Sequence, residues 1–228
     1  MEETSEETIK VAIIDDHQSI IDGYIHRLES RPEIKVVASG LNGEDLQTIL
    51  SGQPVDVLLL DLSIPSSPKD PNPYPIFHEL PALLRKHPEL KIIVISMFTQ
   101  LSLVKAMFDL GISAYLFKDD QVSIQLLGNV VKSVAEGGVY MSQGAYPGPT
   151  VVQPEQILTP RQLEVLSLCM AYPNMTTNVL AERLNISTST CRNLLSGAYQ
   201  RLCVQNRAAA IAEARRLGIL PGEKQLDL

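Results

Sequence analysis

The sequence predicts a doubly wound α/β fold with a five-stranded parallel sheet over residues 10–138, followed by a small all-α domain over residues 157–219. Two observations predict the first part. Apolar, strand-like runs alternate with segments of helix length, and the central run "VDVLLL" is apolar at four consecutive positions, Val57 to Leu60, as a strand covered on both faces must be. The third observation predicts the second part: beyond residue 156 the apolar spacing is helical throughout.

Residues 1–9, "MEETSEETI", form an acidic tail. The first strand, "KVAII", ends on Asp15 and Asp16; "IKVVA" is the second; "VDVLLL" ends on Asp61. Five prolines from Pro65 to Pro75 then predict a long, stiff, non-helical loop. "KIIVIS" closes with Ser96, and "AYLF" is followed by Lys118. Residues 139–156 read as a linker, because 141–156 hold three prolines and two glycines with no helical period. In "LTPRQLEVLSLCM", Thr159 is placed as N-cap, Pro160 at the first helical position and Gln162 three after the cap, which is a capping box. Further helices are expected at about Thr177 to Leu184, Ser189 to Leu202 and Asn206 to Leu217, and residues 220–228 form a tail.

With 45% apolar residues in 228, the chain can bury a sizeable core. No apolar run approaches the roughly 20 residues of a membrane helix, and the N-terminus is acidic where a signal peptide is basic. The expectation is therefore a cytoplasmic protein with no membrane partner. Three cysteines, Cys169, Cys191 and Cys203, lack metal-ligand spacing and are expected as reduced core thiols. The net charge of −7 is unevenly divided: residues 1–154 carry 11 basic and 20 acidic side chains, residues 155–228 carry 8 and 6. The acidity thus leaves the second domain free to meet nucleic acid.

In open parallel sheets ligands bind at the C-terminal strand edge. Asp15, Asp16 and Asp61 all fall there, and three converging carboxylates call for a cation. Oxygen ligands with room for water suit Mg²⁺. Ser96 and Lys118 add a hydroxyl and an ammonium at neighbouring strand ends. That set can hold a phosphoryl group.

These residues, in this order after these strands, resemble the receiver domain of two-component response regulators, a flavodoxin-like fold. The resemblance implies Asp61 as phosphoacceptor for a sensor histidine kinase. It also implies Asp16 and Asp61 as direct Mg²⁺ ligands, Asp15 acting through water, and the Ser63 carbonyl completing the site. Ser96 would hydrogen-bond the phosphoryl group, Lys118 would neutralise it, and Tyr115 would turn inward when Ser96 moves. No enzyme activity is expected beyond self-phosphorylation and dephosphorylation at Asp61.

"LTPRQLEVL", "LAERLNIS", "STSTCRNLL" and "RLCVQNRAAAI" resemble the LuxR-type helix-turn-helix of NarL/FixJ response regulators. Leu180, Ala181 and Leu184 would pack a scaffold helix, Asn185 to Ser187 would turn, and the next helix would enter the major groove. Arg192, Asn193 and Ser196 are the base-edge candidates, and Thr188, Thr190 and Arg201 the phosphate contacts. The resemblance implies a homodimer, joined through the last helix, on double-stranded DNA. Departures are Cys191, Leu194 and a helical Gly197, which costs about 1 kcal/mol relative to Ala. The alternative is a helical domain that binds a protein partner in place of DNA.

Overall fold

The computed structural model describes residues 8–142 and 158–220. Most of the expected acidic tail and linker, and the C-terminal tail beyond Leu220, lie outside the described residues. The chain runs β1 (Ile9–Ile14), α1 (Gln18–Leu28), β2 (Ile34–Gly40), α2 (Gly43–Gly52) and β3 (Val57–Leu60), then β4 (Pro65–Ser67) and β5 (Asp70–Pro73). It continues through α3 (Ile76–Lys86), β6 (Lys91–Ser96), α4 (Leu101–Asp109), β7 (Ala114–Phe117), α5 (Gln121–Gln125), α6 (Leu127–Ala135) and β8 (Tyr140–Met141). The helical part is α7 (Pro160–Ala171), α8 (Thr177–Arg183), α9 (Thr188–Arg201) and α10 (Arg207–Arg216).

The main sheet is parallel, in the order β2-β1-β3-β6-β7-β8. Successive side chains of a strand point to opposite faces, and here both faces are covered. Ala12, Ile14, Leu58, Leu60, Ile92 and Val94 pack with α2, α3 and α4. Val11, Ile13, Val57, Leu59, Ile93 and Ile95 pack with α1 and α6. Burying each Leu or Ile contributes about 1.5–3 kcal/mol, so a polar residue inside these strands would be costly. Polar residues therefore begin where the strands end.

Several features differ from the sequence reading. Residues 139–142, expected to open the linker, extend the sheet by a sixth strand: Tyr140 pairs with Ala114, and the Ser142 hydroxyl accepts from the Phe117 amide at 2.9 Å. The proline-rich segment is non-helical as expected, yet it is a paired hairpin, with Pro65 opposite Pro73 and Ser67 opposite Asp70. Proline is tolerated there because a two-stranded ribbon has free edges that need no donor. The Ser67 hydroxyl fixes the turn by accepting from the Lys69 and Asp70 amides at 3.3 and 3.1 Å. Lastly, Cys169 and Cys191 are buried, but Cys203 is exposed. The chain leaves α9 there with φ 55, which turns that side chain away from the core.

The first apolar cluster runs without a break from the sheet through α3 into the helical domain, reaching Leu163, Leu166, Leu180 and Leu195. α7 is buried nearly all round, from Leu163 to Ala171, since α9 and α10 cover one side while α3 and β5 cover another. An all-round apolar helix needs such double cover. Its start follows the expected capping box: the Thr159 hydroxyl accepts from the Gln162 amide, and Gln162 returns the contact to the Thr159 amide. Leu220, expected in the tail, is buried against this core.

Candidate functional site

Parallel pairing builds the site. Ile14 stands beside Leu60, and Leu60 beside Val94, so Asp15 and Asp61 leave the sheet side by side with Ser96 close behind. The backbone joins them, as Asp61 N donates to Ile14 O at 2.9 Å and Lys118 N donates to Ser96 O at 2.9 Å. Asp15, Asp61 and Ser96 are buried. The Lys118 ammonium donates to Asp15 Oδ2 at 2.5 Å and to Asp61 Oδ2 at 2.9 Å. It is the positive charge that lets two buried carboxylates share one edge.

The electrostatics follow from this crowding. Burial, and then the Asp61 charge, push the Asp15 carboxyl above its ordinary value although Lys118 opposes them. Burial pulls the Lys118 ammonium down, yet Asp61 and Asp15 together outweigh it and hold its pKa above the ordinary lysine value. Asp16 is less buried, and its Oδ1 lies 2.8 Å from His17 Nδ1. Ligand atoms of Asp15, Asp16 and His17 all lie within 4.8 Å of one another. The Ser63 amide donates to Asp61 Oδ1 at 3.2 Å, which directs its loop around the pocket. Carboxylate oxygens dominate the donor set, with the His17 ring nitrogen beside them, so the pocket fits a hard cation such as Mg²⁺. His17 was not singled out in the sequence, although its place directly after Asp15-Asp16 was the available signal.

Tyr115 is buried, and its hydroxyl donates to Phe98 O at 2.7 Å. It also hydrogen-bonds with Ser96, and burial raises its pKa. The Ser96 hydroxyl accepts from the Phe98 amide at 3.2 Å. The strand-end hydroxyl, the loop after it and the Tyr115 ring therefore form one connected unit.

The second set lies on α9. Ser187 is the N-cap, its hydroxyl accepting from the Thr190 amide at 3.1 Å, and Asn185 takes the left-handed turn at φ 53. Thr190, Arg192, Asn193 and Ser196 are exposed, Thr188 is half-buried, and Cys191, Leu195 and Ala198 hold the opposite face to the core. Arg201 stands apart at the far end of the helix. It lines a cleft of about 210 Å³ with Lys105 and Asp109 of α4. Among the described residues, no helix is long and apolar enough to cross a membrane.

Comparisons with known proteins fit this geometry. Residues 11–127 match the family model of the response regulator receiver domain, and residues 156–214 match that of bacterial regulatory proteins, luxR family. Transcriptional regulatory protein DegU of Brevibacillus brevis is 29% identical over 241 residues, covering 95% of this chain and 97% of that protein. Transcriptional regulatory protein DesR of Bacillus subtilis (strain 168) is 26% identical over 211 residues, covering 92% and 98%. A solved structure of the Salmonella typhimurium RcsB response regulator shares the fold, with a TM-score of 0.61 at 24% identity over 92% of this chain and 98% of that one. So does RcsB of Salmonella enterica serovar Typhimurium bound to promoter rprA with the phosphomimetic BeF₃⁻, at a TM-score of 0.60, 23% identity and coverage of 90% and 98%. The chain belongs to the response regulators built from a receiver domain followed by a LuxR-type helix-turn-helix domain.

Proposed function

We propose that this chain is a phosphorylation-controlled transcription regulator of a two-component system. A sensor histidine kinase donates a phosphoryl group to Asp61, and the helical domain binds double-stranded DNA as a homodimer. The observation that carries the reading is the buried Asp15–Lys118–Asp61 constellation, set beside Ser96 at the C-terminal edge of the sheet.

In the transfer, an Asp61 carboxylate oxygen attacks phosphorus while the P–N bond to the kinase imidazole breaks, its electron pair staying on the ring. Asp16, Asp61 and the Ser63 carbonyl would hold Mg²⁺, with Asp15 acting through water. Bound there, Mg²⁺ supplies positive charge against the carboxylates and the phosphoryl oxygens. The Lys118 ammonium, already poised on Asp61, follows the new charge. The Ser96 hydroxyl donates to a phosphoryl oxygen, and Tyr115 moves with the loop that Ser96 holds. No further catalytic activity is assigned.

Downstream, the exposed face of α9 enters the major groove. Arg192, Asn193 and Ser196 face base edges, and Thr188, Thr190 and Arg201 face phosphates. The likeness to transcriptional regulators along nearly the whole chain supports this reading. Dimerisation through α10 pairs two weak half-site readers, which raises effective concentration without any new base contact. The test is intact-mass measurement after incubation with acetyl phosphate and Mg²⁺. Wild type gains one phosphoryl group and Asp61→Asn gains none; an equal gain in both refutes the assignment.

A further inference from the structure

We propose that His17 is itself a metal ligand of the Asp61 pocket, through Nδ1, and that it turns the pocket's preference from Mg²⁺ toward a divalent first-row transition ion such as Mn²⁺. The inference rests on the pocket as the metal site of the phosphoacceptor and adds the class of ion that fills it.

His17 is the N-cap of α1, a position where Ser, Thr, Asp or Asn ordinarily turns its side chain onto the first helical amides. It has the extended backbone of a cap, with φ −114 and ψ 109, but its side chain makes no cap hydrogen bond. The ring is turned onto the carboxylates instead, with Nδ1 2.8 Å from Asp16 Oδ1 and 3.5 Å from Asp15 Oδ1. The backbone holds it there, since the His17 amide donates to Asp15 Oδ1 at 3.0 Å. The other oxygen of Asp15 takes the Lys118 ammonium, so that carboxylate is fixed from both ends. The pocket thus has a buried, positively charged inner wall in Lys118 and a half-exposed imidazole on its outer side.

The spacing suits coordination. In an octahedral site with bonds of about 2.1 Å, neighbouring ligand atoms stand about 3 Å apart. The separations of 2.8 and 3.5 Å bracket that value. Among the described residues, Asp15, Asp16 and His17 are the one group of three such side chains whose ligand atoms come this close. An ion seated on Asp16 Oδ1 therefore has His17 Nδ1 at a neighbouring coordination position. The ion binds the Nδ1 lone pair, and the neutral ring keeps its single proton on Nε2, where water can accept from it.

Ligand chemistry gives the direction of the preference. Mg²⁺ favours oxygen and keeps several of its waters, so a nearby imidazole adds little to its binding. First-row transition ions take imidazole nitrogen readily, in an order that rises from Mn²⁺ through Fe²⁺ and Co²⁺ to Ni²⁺. Mn²⁺ also shares the carboxylate and water ligands of Mg²⁺, so one nitrogen among the carboxylates of Asp15, Asp16 and Asp61 separates the two ions.

The test uses the full chain, with Mn²⁺ and Mg²⁺ titrated in parallel by calorimetry and the bound Mn²⁺ studied by pulsed electron paramagnetic resonance, which detects a directly bonded nitrogen. Wild type should show a nitrogen coupling that changes isotope when the protein is made with ¹⁵N-labelled histidine. In His17→Phe the coupling should vanish, and the ratio of Mn²⁺ to Mg²⁺ affinity should fall by about ten-fold. Bound Mn²⁺ without nitrogen coupling in wild type overturns the inference, as does an unchanged affinity ratio in His17→Phe. Should that variant fail to fold, the labelled wild type decides: histidine coupling supports the ligand and its absence refutes it. Equal Mn²⁺ affinity of wild type and Asp61→Asn would place the ion outside the Asp61 pocket. That result overturns the metal site itself, and so is distinct from a failure of His17 alone.

Discussion

Lys118 Nζ lies 2.9 Å from Asp61 Oδ2, a contact between residues 57 positions apart that the pairing of β3, β6 and β7 creates. Removing the ammonium takes from the buried Asp15 and Asp61 the cation that touches both. Lys118→Ala should lower stability by about 3–5 kcal/mol in chelator, the cost of breaking a buried pair. Mg²⁺ should restore much of it, because the ion replaces the missing charge. Urea unfolding with and without Mg²⁺ checks this, and an identical loss in both conditions contradicts the metal assignment.

The hairpin depends on a residue without a side chain. A Cβ at Gly43 would fall 2.1 Å from the Tyr74 ring, so the ring and the hairpin it anchors must shift. Gly43→Ala should destabilise the chain by about 1–3 kcal/mol, as overpacking does. The matching change Tyr74→Ala should relieve that clash, so a thermal-melt cycle should find the two substitutions strongly non-additive.

Glu164 sets a pH dependence. Burial acts to raise its pKa, but hydrogen bonds from His78 and Arg161 outweigh it and hold the carboxyl below its ordinary 4.5. A depressed carboxyl stabilises the fold fully above its unfolded value and loses that contribution as pH falls through the folded one. The melting-temperature gap between wild type and Glu164→Gln should therefore be steady above about pH 5 and shrink below 4.5. A gap that stays constant down to pH 3.5 would show that the ion pair contributes nothing.

Arg192 and Arg201 should separate on DNA. Arg192→Ala removes an exposed cation from the start of α9 and should cost about 1–3 kcal/mol while relaxing preference at one position per half-site. Arg201→Ala, near the far end, should weaken all sequences alike and lower the salt slope by about one. Salt titrations on sequences selected from a random pool read both effects.

Features resting on local rules were legible in the sequence. Asp15, Asp61 and Lys118 each follow a continuous apolar run, and burial on both faces of a strand allows charge only where the run ends. The Thr159 capping box is contained within four residues and formed as written. The hairpin was not legible, because prolines read as strand breakers while its pairing of Pro65 with Pro73 depends on packing against α2 and α7. Nor was β8, whose two residues gain their partners only from the edge of β7. His78 and Glu164 lie 86 positions apart and meet only once the domains pack. The sequence carries one signal of that packing: "LEVLSLCMA" is apolar over most of its helix surface, a breadth that α3 and β5 cover together with α9 and α10.

The central claim is that a phosphoryl group on Asp61 controls DNA binding by the helical domain. The direct measurement is a titration of the full chain on its selected DNA at fixed salt, with and without acetyl phosphate and Mg²⁺, for wild type and Asp61→Asn. The claim requires wild type to bind at least about ten-fold more tightly once phosphorylated, a difference of about 1.4 kcal/mol, while Asp61→Asn shows no change. Equal affinity of wild type in both conditions, with phosphorylation verified by mass, would contradict it.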